Sequence, residues 1–236
     1  MVYQWVKSVR RWLLPPVCSL CDADGEGMLD LCTACRDELP YNTCACQRCA
    51  VPLTDPTAHL CGQCLERHWY FERTVAPFLY QPPVSSLITA LKFRGRLAPA
   101  RLLGALAADF IEQQQIHLPE ALIPVPLHPS RLRHRGYNQA LEIARILGGR
   151  LRIPVEKTAC IRRRPTAAQL GLSAGERRRN LRRAFAWRGA TPWSHVAVVD
   201  DVMTTGHTAN EICRVLRAAG IERVEVWCVA RTPALR

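Results

Sequence analysis

The chain has 236 residues, enough to bury a sizeable core and to hold two domains. Its formal net charge is +12, but residues 1–75 carry seven Lys/Arg against nine Asp/Glu, about −2, which leaves about +14 on the rest. No apolar run approaches the ~20 residues that cross a bilayer, so a membrane span is not expected. The first residues, M-V-Y-Q-W-V-K-S-V-R-R-W-L-L-P-P, lack the order of charge, apolar stretch and small cleavage site that marks a secretion signal. Trp5 and Trp12 there suggest a short amphipathic helix that packs on the region following it, with membrane or partner docking as the alternative.

That region is rich in cysteine. Nine of the twelve cysteines lie between Cys18 and Cys64, and eight form four C-x-x-C pairs: Cys18/Cys21, Cys32/Cys35, Cys46/Cys49 and Cys61/Cys64. Two thiolates on a tight turn converge on one metal, and two such turns close a tetrahedron, so all eight are candidate Zn²⁺ ligands. Ten and eleven residues separate the pairs, which favours one zinc for the first two pairs and another for the last two. An interleaved pairing and the loss of one site stay open. With no secretion signal, metal is preferred to disulfides. Cys44 is left over as a spectator or an alternative ligand, and Cys160, Cys213 and Cys228 fall in apolar segments as core residues.

After a linker, P-V-S-S-L-I-T-A-L-K-F-R-G-R predicts a helix with an apolar stripe of Leu87, Ile88, Leu91 and Phe93, leading to Lys92, Arg94 and Arg96. Ala98–Ile116 is a second helix. Ala121–Pro126 is a short strand that runs into H-P-S-R-L-R-H-R-G-Y-N-Q-A and then a helix, Leu141–Leu151. A loop after a parallel strand is where open α/β sheets bind ligands. This one holds Arg131, Arg133 and Arg135, which suit phosphate geometry, and Gly136, which permits close backbone approach. Thr158–Arg162 is a further strand candidate. From Arg163 to Arg183 the chain is arginine-rich, and its first half, poor in apolar residues, reads as a mobile loop. Ser173 and Glu176 form a capping box that opens a short helix through Arg183.

The densest signal is V-V-D-D-V-M-T-T-G-H-T, Val198–Thr208. An apolar strand, Val196–Val199, is followed by Asp200 and Asp201, then a small-residue turn, then a helix from Ala209 to Ala219 that ends near Gly220. Such a turn aims backbone N–H groups, hydroxyls and the positive end of a helix at one spot, where a phosphate fits. The carboxylates can accept from two neighbouring sugar hydroxyls. Val224–Ala230 is the last strand.

The string resembles the PRPP motif of type I phosphoribosyltransferases, which bind 5-phosphoribosyl-1-pyrophosphate. The resemblance gives Asp200 and Asp201 the ribose role and Thr204, Thr205, Gly206, His207 and Thr208 the 5′-phosphate role; the His207 ring is assigned no chemistry. It makes the Arg131–Gly136 loop a pyrophosphate loop, with Arg131, Arg135 and Gly136 as PRPP contacts, and the arginine-rich loop a lid. It also implies Mg²⁺ with PRPP.

The four C-x-x-C pairs, L-K-F-R-G-R, P-V-P-L-H…R-G-Y-N-Q, R-R-x-x-T-x-x-Q…E-R-x-x-N and the PRPP motif together resemble the ComF family, which includes competence proteins and the GntX type of DNA-utilisation protein. The resemblance runs from about Cys18 to Arg231. It implies a cytoplasmic protein for uptake and use of external DNA, with DNA-uptake machinery proteins as partners. The alternative is an active phosphoribosyltransferase of nucleotide metabolism with an unknown acceptor; no catalytic residue is assigned. The expected fold is α/β: a double zinc ribbon-like region, residues 1–75, before a parallel-sheet phosphoribosyltransferase-like domain, 76–236. The surplus arginines, Arg177, Arg178, Arg182 and Arg183 among them, are candidate contacts to single-stranded DNA. Tyr137 and Trp187 are candidates to stack on its bases.

Overall fold

The computed structural model describes residues 16–26, 29–93, 97–164 and 183–233. The expected helix around Trp5 and Trp12, the residues Arg94 and Arg96, the capping box, and Arg177, Arg178 and Arg182 lie outside the described residues. The chain divides into two compact units, Met1–Pro40 and Tyr41–Arg236.

The first unit carries helix α1 (Thr33–Asp37), which begins at Cys32, whose sulfur accepts from the Cys35 N–H at 3.5 Å. A bridge between Val17 and Asp24 closes the preceding knuckle.

The second unit opens with α2 (Gly62–Glu66) and two short strands, β1 (Thr74–Val75) and β2 (Phe78–Leu79). There follow α3 (Val84–Phe93), α4 (Ala98–Gln113), β3 (Ala121–Pro124), α5 (Pro129–Arg135), α6 (Gln139–Leu151), β4 (Cys160–Arg162), β5 (Phe185–Trp187), β6 (His195–Met203), α7 (His207–Ala218) and β7 (Arg223–Arg231). The main sheet has the order β1-β7-β6-β3, with β2 also on β7, and every pairing in it is parallel. Parallel strands are covered on both faces, which is why β3, β6 and β7 read as near-continuous apolar runs. Val196, Val198, Val224 and Val226 share one face and one core with Ile212 and Leu216 of α7. Trp227 and Val229 face the other way, against Ala107 and Ile111 of α4 and Ile143 and Leu147 of α6.

Four expectations change. The linker before α3 contributes β1 and β2, which dock on the edge of β7. The basic loop after β3 is largely helix: the His128 side chain caps α5, and Gly136, at φ 85°, ends it in a conformation that favours glycine. β6 does not stop at Val199 but runs through both aspartates to Met203. Phe93 is not on the buried stripe of α3; it is 75% exposed.

Among the described residues no helix is long and apolar enough to cross a membrane.

Candidate functional site

The eight paired cysteines form two clusters, Cys18/Cys21/Cys32/Cys35 and Cys46/Cys49/Cys61/Cys64, each with its sulfurs within 4.8 Å of one another. The pairing is therefore sequential, not interleaved. A tetrahedron of thiolates at the usual zinc–sulfur length of ~2.3 Å has edges of about 3.8 Å. The Cys21–Cys32 and Cys49–Cys61 sulfur separations are both 3.6 Å, so both clusters fit zinc. Backbone N–H groups are turned toward the sulfurs. Burial opposes ionisation of Cys46, but N–H groups of Cys49, Cys61 and Arg48 win and bring it down to about 7; the Cys61 N–H lies 3.3 Å from its sulfur. Cys18 is likewise brought to about 6, against burial, by backbone of Cys32, Leu20 and Cys21. Cys44 belongs to neither cluster, its sulfur lying toward the Asp55 carbonyl. Cys160 and Cys228 are buried and their thiols are pushed up to about 12 by desolvation, as inert core residues should be.

The second cluster is part of the α/β core. Cys46, Cys49 and Cys64 pack in one apolar cluster with Trp69, Phe71, Met203 and the β6 valines.

At the C-terminal end of β6 the acidic pair lies among cations. Asp201 is 3% exposed, and Lys92 Nζ, at the end of α3, lies 2.7 Å from its Oδ2. Burial alone would lower the Lys92 ammonium; the charge of Asp201, with Asp200 behind it, holds it above its ordinary value. Asp200 accepts from the Asp201 N–H at 2.9 Å. Desolvation and the neighbouring Asp201 charge push its carboxyl well above the usual range, Lys92 notwithstanding. Arg135 and Arg162 complete the surroundings. Arg135 is lowered by burial and by Arg131 while Asp201 pulls it up; Arg162 is lowered by burial and by Arg131 while Asp200 pulls it up. Arg131 thus repels both Arg135 and Arg162 beside two carboxylates that also repel one another. A polyvalent anion with a bound cation relieves both repulsions at once.

The turn beside them is built for close approach. Gly206 has φ 74°, and a Cβ there would lie 3.0 Å from Met203 Cε and 3.3 Å from the Trp69 ring. α7 starts directly after it with no side-chain cap on its first N–H groups, which leaves those donors for a ligand. The Thr205 hydroxyl and His207 Nδ1 lie 3.1 Å apart, so the ring holds the turn. Asn210 accepts from the Tyr70 N–H at 2.8 Å and fixes the first turn of α7.

R-G-Y-N-Q now has a physical reading. Arg135 ends α5 and donates to Gln139 Oε1 at 2.6 Å. The Tyr137 hydroxyl donates to the Leu91 carbonyl, one residue before Lys92. Asn138 caps α6 and ties it to the Val125 carbonyl at the end of the β3 segment. The motif thereby sets the positions of Arg135 and Lys92 together. Lys92 and Arg162 are the site residues that sequence reasoning missed. L-K-F-R-G-R placed Lys92 at a helix end, but only the fold shows that it meets Asp201. Of the four DNA-contact candidates Arg183 alone is described; it is exposed, and its N–H donates to Glu211 Oε1 at 3.0 Å.

Residues 9–65 match the double zinc ribbon domain family. The chain is 39% identical to competence protein F of Haemophilus influenzae over 85% of this chain and 90% of that one. It is 36% identical to the DNA utilization protein YhgH of Escherichia coli (strain K12) over 93% and 98%. A purine phosphoribosyltransferase from Pyrococcus horikoshii aligns with 55% of this chain and 70% of its own at 17% identity and a TM-score of 0.32, a likeness too slight to argue from. At such identity over most of both chains, this protein is a member of the ComF family of competence and DNA-utilisation proteins.

Proposed function

We propose that this protein serves the uptake and use of external DNA, and that its α/β unit binds PRPP with Mg²⁺ at the C-terminal end of β6. The observation that carries the PRPP reading is the acidic pair on β6, beside a turn that admits only glycine and among Lys92, Arg131, Arg135 and Arg162. Asp200 and Asp201 would accept from the ribose hydroxyls. The first N–H groups of α7, with Thr204, Thr205, Gly206, His207 and Thr208, would hold the 5′-phosphate. Arg131, Arg135 and the Gly136 backbone would face the pyrophosphate, and Mg²⁺ would neutralise the charge that the aspartates and pyrophosphate bring together. In this reading residues 1–75 serve metal and 76–236 serve the phosphoribosyl ligand. The test is calorimetry with PRPP and Mg²⁺ on the wild type and on Asp200→Asn/Asp201→Asn. Each charge-assisted hydrogen bond is worth about 1.5–3 kcal/mol, so the double variant should bind at least tenfold more weakly, and equal affinity would refute the site.

Single-stranded DNA is the proposed polymer ligand, and DNA-uptake machinery proteins are the proposed partners in the cytoplasm. The names of the relatives support the role, as does the surplus of about +14 outside residues 1–75. Phe93, three-quarters exposed with the Arg135 guanidinium 5.6 Å above its ring, offers a base a flat face beside a cation. Turnover as a phosphoribosyltransferase is the second reading; the basic surroundings of the acidic pair would serve a leaving pyrophosphate equally well.

A further inference from the structure

Arg231, the last residue of β7, is 5% exposed, and among the described residues it pairs with no carboxylate. Its guanidinium donates instead to backbone carbonyls on two sides. Nε donates to the Cys49 carbonyl at 2.8 Å. Nη1 donates to Met203 at 3.0 Å and to Thr204, the two residues where β6 gives way to the phosphate turn. The same nitrogen reaches the Thr232 carbonyl at 2.8 Å, and the Thr232 N–H returns to the Met203 carbonyl at 3.2 Å. A buried guanidinium without a counter-charge is costly. Four thiolates around one divalent zinc carry two net negative charges, and a phosphate on the turn would bring more. Arg231 lies between those two sources of negative charge, donating to the Cys49 carbonyl on one side and to the Met203 and Thr204 carbonyls on the other.

A second contact joins the same two features. Trp69 follows the last C-x-x-C pair by five residues and is 6% exposed. Its ring lies against Gly206, leaving no room for a Cβ, and packs on Phe71 at 5.1 Å between centroids. The cysteine cluster and the turn are therefore clamped from both sides, by a fork of hydrogen bonds and by an aromatic plate.

We propose that Arg231 is a positioning residue that couples metal at Cys46/Cys49/Cys61/Cys64 to phosphate binding on the Thr204–Thr208 turn, so that each ligand strengthens the hold of the other. The proposal rests on the PRPP reading of that turn. Coupling between sites is reciprocal in binding free energy: loss of metal from this cluster loosens the turn, and a phosphate on the turn slows escape of the metal. A metal site assigned only to holding the chain together thereby sets the affinity of the ligand site.

The experiment follows zinc release from the full-length protein into a chromophoric chelator, with and without saturating PRPP and Mg²⁺, and with ribose 5-phosphate as a second probe. The Cys21→Ser variant identifies the phase that belongs to the second cluster. PRPP should slow that phase severalfold, and ribose 5-phosphate should do so in part. In Arg231→Gln the protection should vanish while zinc is still bound; Arg231→Lys, which keeps the charge but not the fork, should restore little of it. Calorimetry on the same samples separates the two readings. PRPP that fails to bind wild type removes the site and this coupling with it. PRPP that binds without slowing release, or that protects Arg231→Gln as well as wild type, overturns the coupling and leaves the site standing. Should Arg231→Gln not fold, the wild-type comparison alone decides.

Discussion

Gly206→Ala is the sharpest single test of the turn. Two costs add there. A residue with a Cβ held at φ 74° sits in the left-handed region, at roughly 1–2 kcal/mol. The new methyl also meets Met203 Cε at 3.0 Å and the Trp69 ring at 3.3 Å. The methionine end can swing away, but the indole is buried against Phe71 and cannot, and such overpacking costs about 1–3 kcal/mol. The expected loss is about 2–5 kcal/mol, or roughly 5–15 °C in Tm for a unit of this size. Gly220→Ala is the matched control: its φ is 98°, but nothing lies within 4 Å of a Cβ there, so only the backbone cost applies. Urea unfolding of both full-length variants, with the slope checked for constancy, measures the difference. If Gly206→Ala is no worse than Gly220→Ala, the close packing of the turn on Trp69 is refuted. If it is worse yet binds PRPP as wild type does, the turn does not serve the phosphate.

The remaining expectations follow from the same geometry. Protein purified under reducing conditions should contain two zinc ions per chain by elemental analysis, and material that folds without metal would refute both clusters. The Asp200 carboxyl is raised in the folded chain, so its proton favours folding below the unfolded value and that contribution is lost as pH rises through the raised one. Asp200→Asn should therefore gain stability at pH 7, lose that gain near pH 4 and bind PRPP poorly; an unchanged urea midpoint at pH 7 would refute the assignment. Lys92→Met leaves Asp201 buried without its closest cation; breaking such a pair costs about 3–5 kcal/mol when fully buried, and about 2 is expected here because Lys92 is partly exposed. Single-stranded DNA should bind with a log–log salt slope of about −2 to −4, from roughly three to five phosphates. Phe93→Ala should weaken that binding without changing the slope, as fluorescence anisotropy over a salt series will show.

How much of this was legible in the sequence depends on whether the signal is local. The C-x-x-C pairs announce their chemistry in four residues, and metal geometry then leaves little freedom. β7, α4, α6 and α7 are long enough for periodicity to place them within a few residues. The two-residue β1 and β2 are not, since the strand they pair with, β7, lies some 150 residues downstream. β6 extends through Asp200 and Asp201 because ladder bonds to β7 hold the backbone whatever the side chains prefer; a pattern of apolar residues stops at Val199 and cannot see the register Met203↔Arg231. Lys92 and Arg162 are invisible for the same reason: each stands more than 35 residues from the carboxylate that gives it meaning. Phe93 misleads in the opposite direction. Its spacing from Leu87, Ile88 and Leu91 suits one helix face, yet it ends α3 beyond the packed surface and takes Arg135 as its neighbour.

The two ends of the sheet differ in how their buried charges are matched. Near the start of β7, Glu225 is 1% exposed and fully engaged: Oε1 accepts from His195 Nε2 at 3.0 Å, and Oε2 accepts from Trp227 Nε1 at 3.1 Å and pairs with Arg73 at 3.0 Å. Desolvation lowers the His195 ring despite Glu225, and its Nδ1 has no hydrogen-bond partner among the described residues. Opposite charges meet at short range there, and the network ties β6 to β7. At the other end, Asp200 and Asp201 share one cation, and Arg131 repels both Arg135 and Arg162. Under the proposed reading a phosphorylated sugar with its cation would relieve this conflict of like charges, so this end of the fold is the one that would gain from a ligand.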